Sequence, residues 1–395
     1  MKRLLLTCTD LMAIQFLVPH VKYLSEHGFY VELACSEVGG RLQELRTVLS
    51  GIAPVHTVRL VRNPFSLRNR KGLSDLKKII NGRSWDVIWT NEPVMGVMTR
   101  VAAKTVRKKG TKVVYMVHGF HFYKGAPLTN WLLYYPVEKY CSRLCDMIIT
   151  INEEDYQRAK GFHAKRTEKI PGVGVNLDCF APNNDVRKQW REKLELSPND
   201  TLLLTVGELT PRKNQHVMIK AVKLLQNSNV KLFVCGCGKL ELQLKNTVKM
   251  LKLEEQVKLL GYRKDIPQLC CAADAFVFTS IQEGLPRALL EAMADGKAIV
   301  CSNIRGNVDL VKDGKGGLVV RNDAESVAAA LKELIENQGC VITRESFLNR
   351  LWKYEFEGEE RAVDNHIKNL RRKLGKAGDY IKTVRGVGYR IDKAN

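Results

Sequence analysis

Short apolar runs alternate with longer stretches whose apolar positions recur at helical spacing. RLLLTC (3–8) precedes a helical pattern over 19–27 that Gly28 ends, and YVELAC (30–35) follows. WDVIWTNEP (85–93) predicts a strand and its loop, then a helix over 94–108. KVVYMVHG (112–119) and DMIITIN (146–152) predict further strands. Strands that are apolar nearly throughout, rather than in alternation, belong to a parallel sheet covered on both faces by helices.

The alternation pauses at IPGVGVN (170–176), where a proline and two glycines mark a turn or hinge. It restarts with LLLTVG (202–207), VKLFVCG (230–236), QVKLLG (256–261), AFVFTS (275–280), KAIVCS (297–302) and GLVV (317–320). The pattern predicts two doubly wound, Rossmann-like α/β domains, over 1–175 and 176–337, with a cleft between them. Ligands are expected beyond the carboxyl ends of the strands. From about residue 339 the style changes to an arginine-rich helix (360–374) and YIKTVRGVGYRI, so 338–395 forms a third segment.

Composition narrows the partners. At roughly 150 residues per domain, 395 residues suit two or three domains. A hydrophobic content of 45% with 27% charged residues excludes a disordered or fibrous chain. The net charge of +21 points to anionic partners: nucleic acid, anionic lipid or phosphorylated ligands. It divides as +12 over 1–180, +4 over 181–339 and +5 over 340–395. Eleven cysteines, odd in number and without paired CxxC motifs, argue against a disulfide framework or a zinc site and for a reducing cytosol. The N-terminal apolar stretch is too short for a signal peptide, and no run approaches the ~20 apolar residues of a membrane span.

Three strand-end loops carry chemistry. In EGLPRALLE (283–291), Pro286 suits the first helical turn. That places Glu283 outside the helix N-terminus and Glu291 within the helix. Two carboxylates there can address one polyhydroxylated ligand, and the free N–H groups can face a phosphate; the competing reading is two solvated helix charges. In VGELTPRKN (206–214), Gly207 ends a strand and Arg212-Lys213 precedes the next helix. That cation pair suits a diphosphate, or is simply exposed. In MVHGFHFYKG (116–125), His118 stands at a strand's carboxyl end, in a structural or a functional role. No Asp-x-Asp occurs, so a metal-bridged diphosphate has no obvious ligand pair.

EGLPRALLEAMADGKAIVCSNIRGNVDLV, VGELTPRKN, GYRKDIPQLCCAADAFVFTS and VHGFHFYKG together closely resemble glycosyltransferase family four, of GT-B fold, and most nearly its capsule and exopolysaccharide members. The resemblance covers about 1–335. It implies a retaining, metal-independent transfer from a nucleotide sugar, usually a UDP-sugar, with no cofactor. It also implies roles: Glu291 on the nucleotide ribose, Glu283 and His118 on the donor sugar, Arg212 and Lys213 on the diphosphate, and backbone around Tyr262-Arg263 facing the base. Many members carry Arg where this chain has Glu208, so the diphosphate charge falls to Arg212 and Lys213.

Residues 59–83 hold Arg59, Arg62, Arg68, Arg70, Lys71, Lys77, Lys78 and Arg83 against one acid, Asp75, and residues 104–112 add five more cations. Family members of this kind often act on lipid-diphosphate-linked acceptors. A basic acceptor domain would lie on anionic lipid at the inner face of the membrane, each cation contributing ~1 kcal/mol near the surface. The competing reading is a generic solvated surface.

Residues 338–395 resemble the winged-helix effector domain of OmpR/PhoB-type response regulators, without its N-terminal sheet. Arg361–Leu374 resembles the recognition helix, with Arg361, Lys368, Arg371, Arg372 and Lys373 as its cations. Tyr380–Ile391, including Arg385, resembles the wing. The resemblance implies contact with DNA. The rival to a glycosyltransferase is therefore a DNA-binding regulator with a relic or sensory α/β part.

Overall fold

The computed structural model describes residues 1–10, 16–314, 316–336, 341–343, 367–368, 371, 381–384 and 388–391. The chain divides into two compact units, Met1–Gly174 and Val175–Asn395. Their junction lies inside the 170–176 segment, where Gly172 and Gly174 both take positive φ.

The first unit is built on seven parallel strands: β1 (Lys2–Asp10), β2 (Phe29–Val38), β3 (Val55–Thr57), β4 (Val87–Asn91), β5 (Lys112–Val117), β6 (Met147–Thr150) and β7 (Arg166–Lys169). Their order across the sheet is β3-β2-β1-β4-β5-β6-β7, every pair parallel. The run RLLLTC shows why such a strand is apolar throughout. Leu5 enters one core with Val58, Leu76, Ile80, Met95 and Tyr115, whereas Leu4 and Leu6 enter the opposite one with Val21, Leu33 and Leu45.

The second unit repeats the plan with β8 (Thr201–Val206), β9 (Val230–Cys235), β10 (Val257–Gly261), β11 (Ala275–Phe278), β12 (Ala298–Ser302) and β13 (Gly317–Val320). The order is β10-β9-β8-β11-β12-β13, again all parallel. Leu203, Ala275 and Val277 face one core, while Leu202, Leu204, Phe276 and Phe278 face the other. The sequence-based expectation of two doubly wound sheets holds.

Details differ from the pattern reading. Strands β3 and β7 carried no apolar signal, because each is a short sheet edge held by pairing with one neighbour. The expected helix over 94–108 is two helices, Pro93–Ala102 and Lys104–Lys108. The break at Ala103 lets Val106 enter the core while Arg107 reaches Asp146 (3.0 Å). Pro286 is not inside its helix but precedes it, in extended conformation. Its carbonyl accepts from the amides of Leu289 and Leu290, and the helix runs Arg287–Ala294.

One buried ion pair fixes a helix of the first unit. Arg100, fully buried in Pro93–Ala102, donates to Glu138 of the helix Leu128–Cys141 at 2.7 Å. Tyr115 Oη donates to the same carboxylate at 3.0 Å, and the guanidinium lies 4.0 Å from the Tyr115 ring centre. Arg100 Nε also donates to the Gly96 carbonyl at 2.9 Å, and a charge taken out of water is tolerated only when paired and hydrogen-bonded in this way.

Among the described residues of the last segment, β14 (Val341–Thr343), β15 (Ile381–Val384) and β16 (Gly388–Ile391) form an antiparallel sheet in the order β14-β16-β15. Ile367 and Ile381 are buried, Lys368 is exposed, and Arg371 Nε donates to the Ile381 carbonyl at 3.0 Å. Arg361, Arg372, Lys373 and Arg385 lie outside the described residues. No helix among the described residues is long and apolar enough to cross a membrane.

Candidate functional site

All six strands β8–β13 of the second unit's parallel sheet point the same way, so the loops after β8, β9, β10, β11 and β12 gather at one edge of that sheet. Two glycines let the first pair of loops touch. Gly236, at φ +143°, comes so near Gly207 that a Cβ would sit 1.9 Å from the Gly207 carbonyl oxygen. Gly306, at φ +80°, is pressed likewise against the carbonyl of Gly284.

The loop after β8 delivers Arg212 and Lys213 to the loop after β11. Arg212 Nη1 and Lys213 Nζ both donate to Oε1 of Glu283, at 2.9 and 2.7 Å. Arg212 also donates to the Gln282 carbonyl (3.0 Å), and the Ile281 amide donates to the Arg212 carbonyl (2.8 Å). Lys213 runs beside Gly207, where a side chain would crowd its stem, and its ammonium lies 4.6 Å from the Phe278 ring centre. Burial pulls Lys213 below the ordinary lysine value, while the Glu283 carboxylate opposes the shift. Lys213 is largely buried and Arg212 is 42% exposed, so the triad offers its positive edge to solvent through Arg212.

Other expected site residues are placed differently. Glu291 lies in the second turn of Arg287–Ala294, its Oε1 2.8 Å from Arg287 Nε. Burial pushes its carboxyl above the usual range, and Arg287 opposes this. The two glutamates of EGLPRALLE thus answer to different cations. Tyr262 and Arg263 follow Gly261 on the neighbouring loop. Tyr262 stands 57% exposed, and Arg263 turns to Asp265 (2.8 Å), holding that carboxyl low. Pattern reading did not single out Arg305, whose Nε donates to the Glu283 carbonyl (3.1 Å), or Asn322, which donates to the Thr279 and Ser280 carbonyls. Arg305 carried a signal, since Arg-Gly follows a strand end.

In the first unit, His118 follows β5 at the carboxyl edge of that sheet. Its Nε2 lies 3.1 Å from Asn91 Oδ1, and Asn91 Nδ2 donates to the Thr7 carbonyl, which orients the amide. Oδ1 only accepts, so the proton sits on Nε2 and Nδ1 is the acceptor. Burial lowers the His118 pKa to about 4, so the ring is neutral at pH 7.

Two family models divide the α/β part. "Glycosyltransferase Family 4" matches residues 17–178 and "Glycosyl transferases group 1" matches 186–350. A third, "Transcriptional regulatory protein, C terminal", matches 325–391, overlapping the second across the helix Ala324–Glu336. EpsD of Bacillus subtilis (strain 168), a glycosyltransferase by its assigned name, is 36% identical over 325 residues, covering 81% of this chain and 83% of its own. The UDP-Gal:alpha-D-GlcNAc-diphosphoundecaprenol alpha-1,3-galactosyltransferase of Escherichia coli is 30% identical over 338 residues, covering 83% and 86%. Anabaena HepE, solved in complex with UDP, shares the fold at a TM-score of 0.71 and 23% identity, covering 85% of this chain and 90% of its own. The chain belongs to the glycosyltransferases of GT-B fold, a family 4 domain followed by a group 1 domain.

Proposed function

We propose that the chain moves a sugar, with retention of configuration and without a metal ion, from a UDP-sugar to a lipid-linked or glycan acceptor in exopolysaccharide or capsule synthesis. The Glu283–Arg212–Lys213 triad at the carboxyl edge of the second sheet carries the reading. Transfer breaks the bond from the sugar's anomeric carbon to the diphosphate and forms one to an acceptor hydroxyl, whose proton leaves with the diphosphate. Negative charge grows on the diphosphate, and two fixed cations answer it without solvent reorganisation. Glu283 keeps both cations in place before the donor arrives and offers its carboxylate to the sugar. Glu291 takes the ribose hydroxyls, and the backbone at Tyr262-Arg263 faces the base. His118 supplies a neutral imidazole whose Nδ1 accepts from a sugar hydroxyl. Positioning of the two reactants supplies much of the remaining barrier reduction.

The names of similar proteins support the substrate classes: the Escherichia coli relative acts on a diphosphoundecaprenol-linked sugar, and HepE was solved with UDP. The basic first unit, with exposed Arg68, Arg70, Lys71, Lys77 and Lys78, favours work at an anionic inner membrane face. The match of 325–391 to a transcriptional regulator's C-terminal domain favours residual DNA contact by that segment.

Four measurements test these assignments. Glu291→Ala should weaken UDP-sugar binding about tenfold, the loss of one charge-assisted contact, and Lys213→Ala should lower turnover by about a hundredfold; unchanged kinetics in both would sink the site. Transfer, followed as UDP release, should survive EDTA, and activity lost to EDTA and restored by Mg²⁺ would overturn the metal-free reading. The His118 ring should titrate near pH 4 by NMR. Because the unfolded ring titrates near 6.5, the unfolded state binds the extra proton between these values. His118 therefore costs stability as pH falls from about 6.5 to 4, a dependence that His118→Gln should remove. Gel shifts on duplex DNA should show weak binding by the full chain that disappears as salt rises; no shift even at low salt would remove DNA from the partners.

A further inference from the structure

The helix Leu128–Cys141 is apolar on both of its faces. Trp131, Tyr134 and Tyr135 turn into the core of the first unit, and Glu138 locks them there through Arg100 and Tyr115. The opposite face presents Leu128, Leu132, Leu133, Val137 and Tyr140, each between 45% and 72% exposed, together with exposed Thr129 and Pro136. The one charged side chain on that face is Lys139, three residues after Pro136, whose ammonium lies 5.6 Å from the Tyr135 ring centre. A helix apolar all round is ordinarily buried all round, and the ion pair prevents this one from rolling its leucines inward.

The surroundings say what covers it. Exposed Lys124 and Arg143 flank the two ends of the helix, with Lys139 between them over the Tyr135 ring. The helix Arg68–Asn81 packs Leu76 and Ile80 into the same core, so both helices lie on one face of the sheet. Just before it stand Phe65 and Leu67, 71% and 74% exposed, and it opens with exposed Arg68, Arg70 and Lys71. Apolar side chains set among cations, in the part of the chain that carries +12 over residues 1–180, fit the boundary between acyl chains and anionic headgroups. A second copy of the same face would set cation against cation.

We propose that the outer face of Leu128–Cys141 inserts into an anionic phospholipid bilayer, with Phe65 and Leu67 as a second point of insertion. This deepens the membrane reading above by naming the element that enters the lipid, and it does not depend on the donor chemistry. The test is co-sedimentation of the full chain with vesicles of phosphatidylcholine alone or mixed with phosphatidylglycerol. Binding should favour the anionic vesicles, and the double substitution Leu132→Glu, Leu133→Glu should weaken it about tenfold or more. UDP binding by the variant should match that of the unsubstituted chain, which shows that the variant is folded; the milder Leu128→Ser, Leu132→Ser pair gives the same reading if glutamate disturbs the helix. Vesicle binding unaffected by both variants, or equal on the two vesicle types, would overturn the proposal. So would a lipid-independent dimer that the substitutions dissolve, since the face would then belong to a second copy. Failure of the unsubstituted chain to bind UDP would count against the donor assignment alone.

Discussion

Parallel strands can be joined only by a chain that crosses back over a face of the sheet, and this constraint orders both units. Every crossover needs a helix, every helix needs an apolar stripe beneath it, and the strands must therefore be apolar on both sides. Leu5 and Leu6 face opposite cores for this reason, as do Leu203 and Leu204. The same rule collects the carboxyl ends of the strands, with the loops that follow them, at one edge of each sheet. Residues as distant in sequence as Lys213 and Glu283 meet there because β8 and β11 are neighbours.

What that edge can do follows from electrostatics. An ammonium as buried as that of Lys213 needs a counter-charge, and Glu283 supplies it while also holding Arg212. The arrangement keeps two cations aimed at one place, with the charge of only one of them balanced. Close backbone contacts at Gly236 and Gly306 leave no slack in the loops around it. In the first unit the logic is reversed. His118 is kept neutral by burial and oriented by Asn91, so it presents an acceptor rather than a charge. The full burial of Arg100 beside Glu138 has a separate consequence: it sets which face of Leu128–Cys141 meets solvent.

Much of this was legible in the sequence, and what escaped has identifiable causes. The central strands announced themselves because burial on two faces leaves no room for polar residues. Strands β3 and β7 did not, since a sheet edge such as RTEK is held by its neighbour's backbone rather than by its own side chains. Arg212, Lys213, Glu283 and His118 could each be picked out as polar residues beside strand ends, and Glu291 as a carboxylate within the helix that follows one. That Glu283 belongs with the cations rather than with Glu291 could not, because sequence spacing is silent about which loops are adjacent. Nothing local in LTNWLLYYPVEKYC reveals that half of its apolar side chains point outward.

The sequence by itself determined the class of fold and the residue types available at each strand end. It could do so because local pattern and turn chemistry are properties of neighbouring residues. Only the tertiary structure decided which of those residues share a charge, which way the His118 ring is protonated and which apolar face is left uncovered. Those depend on strand order and on burial, which bring together groups tens of residues apart and remove the water that would otherwise have kept them independent.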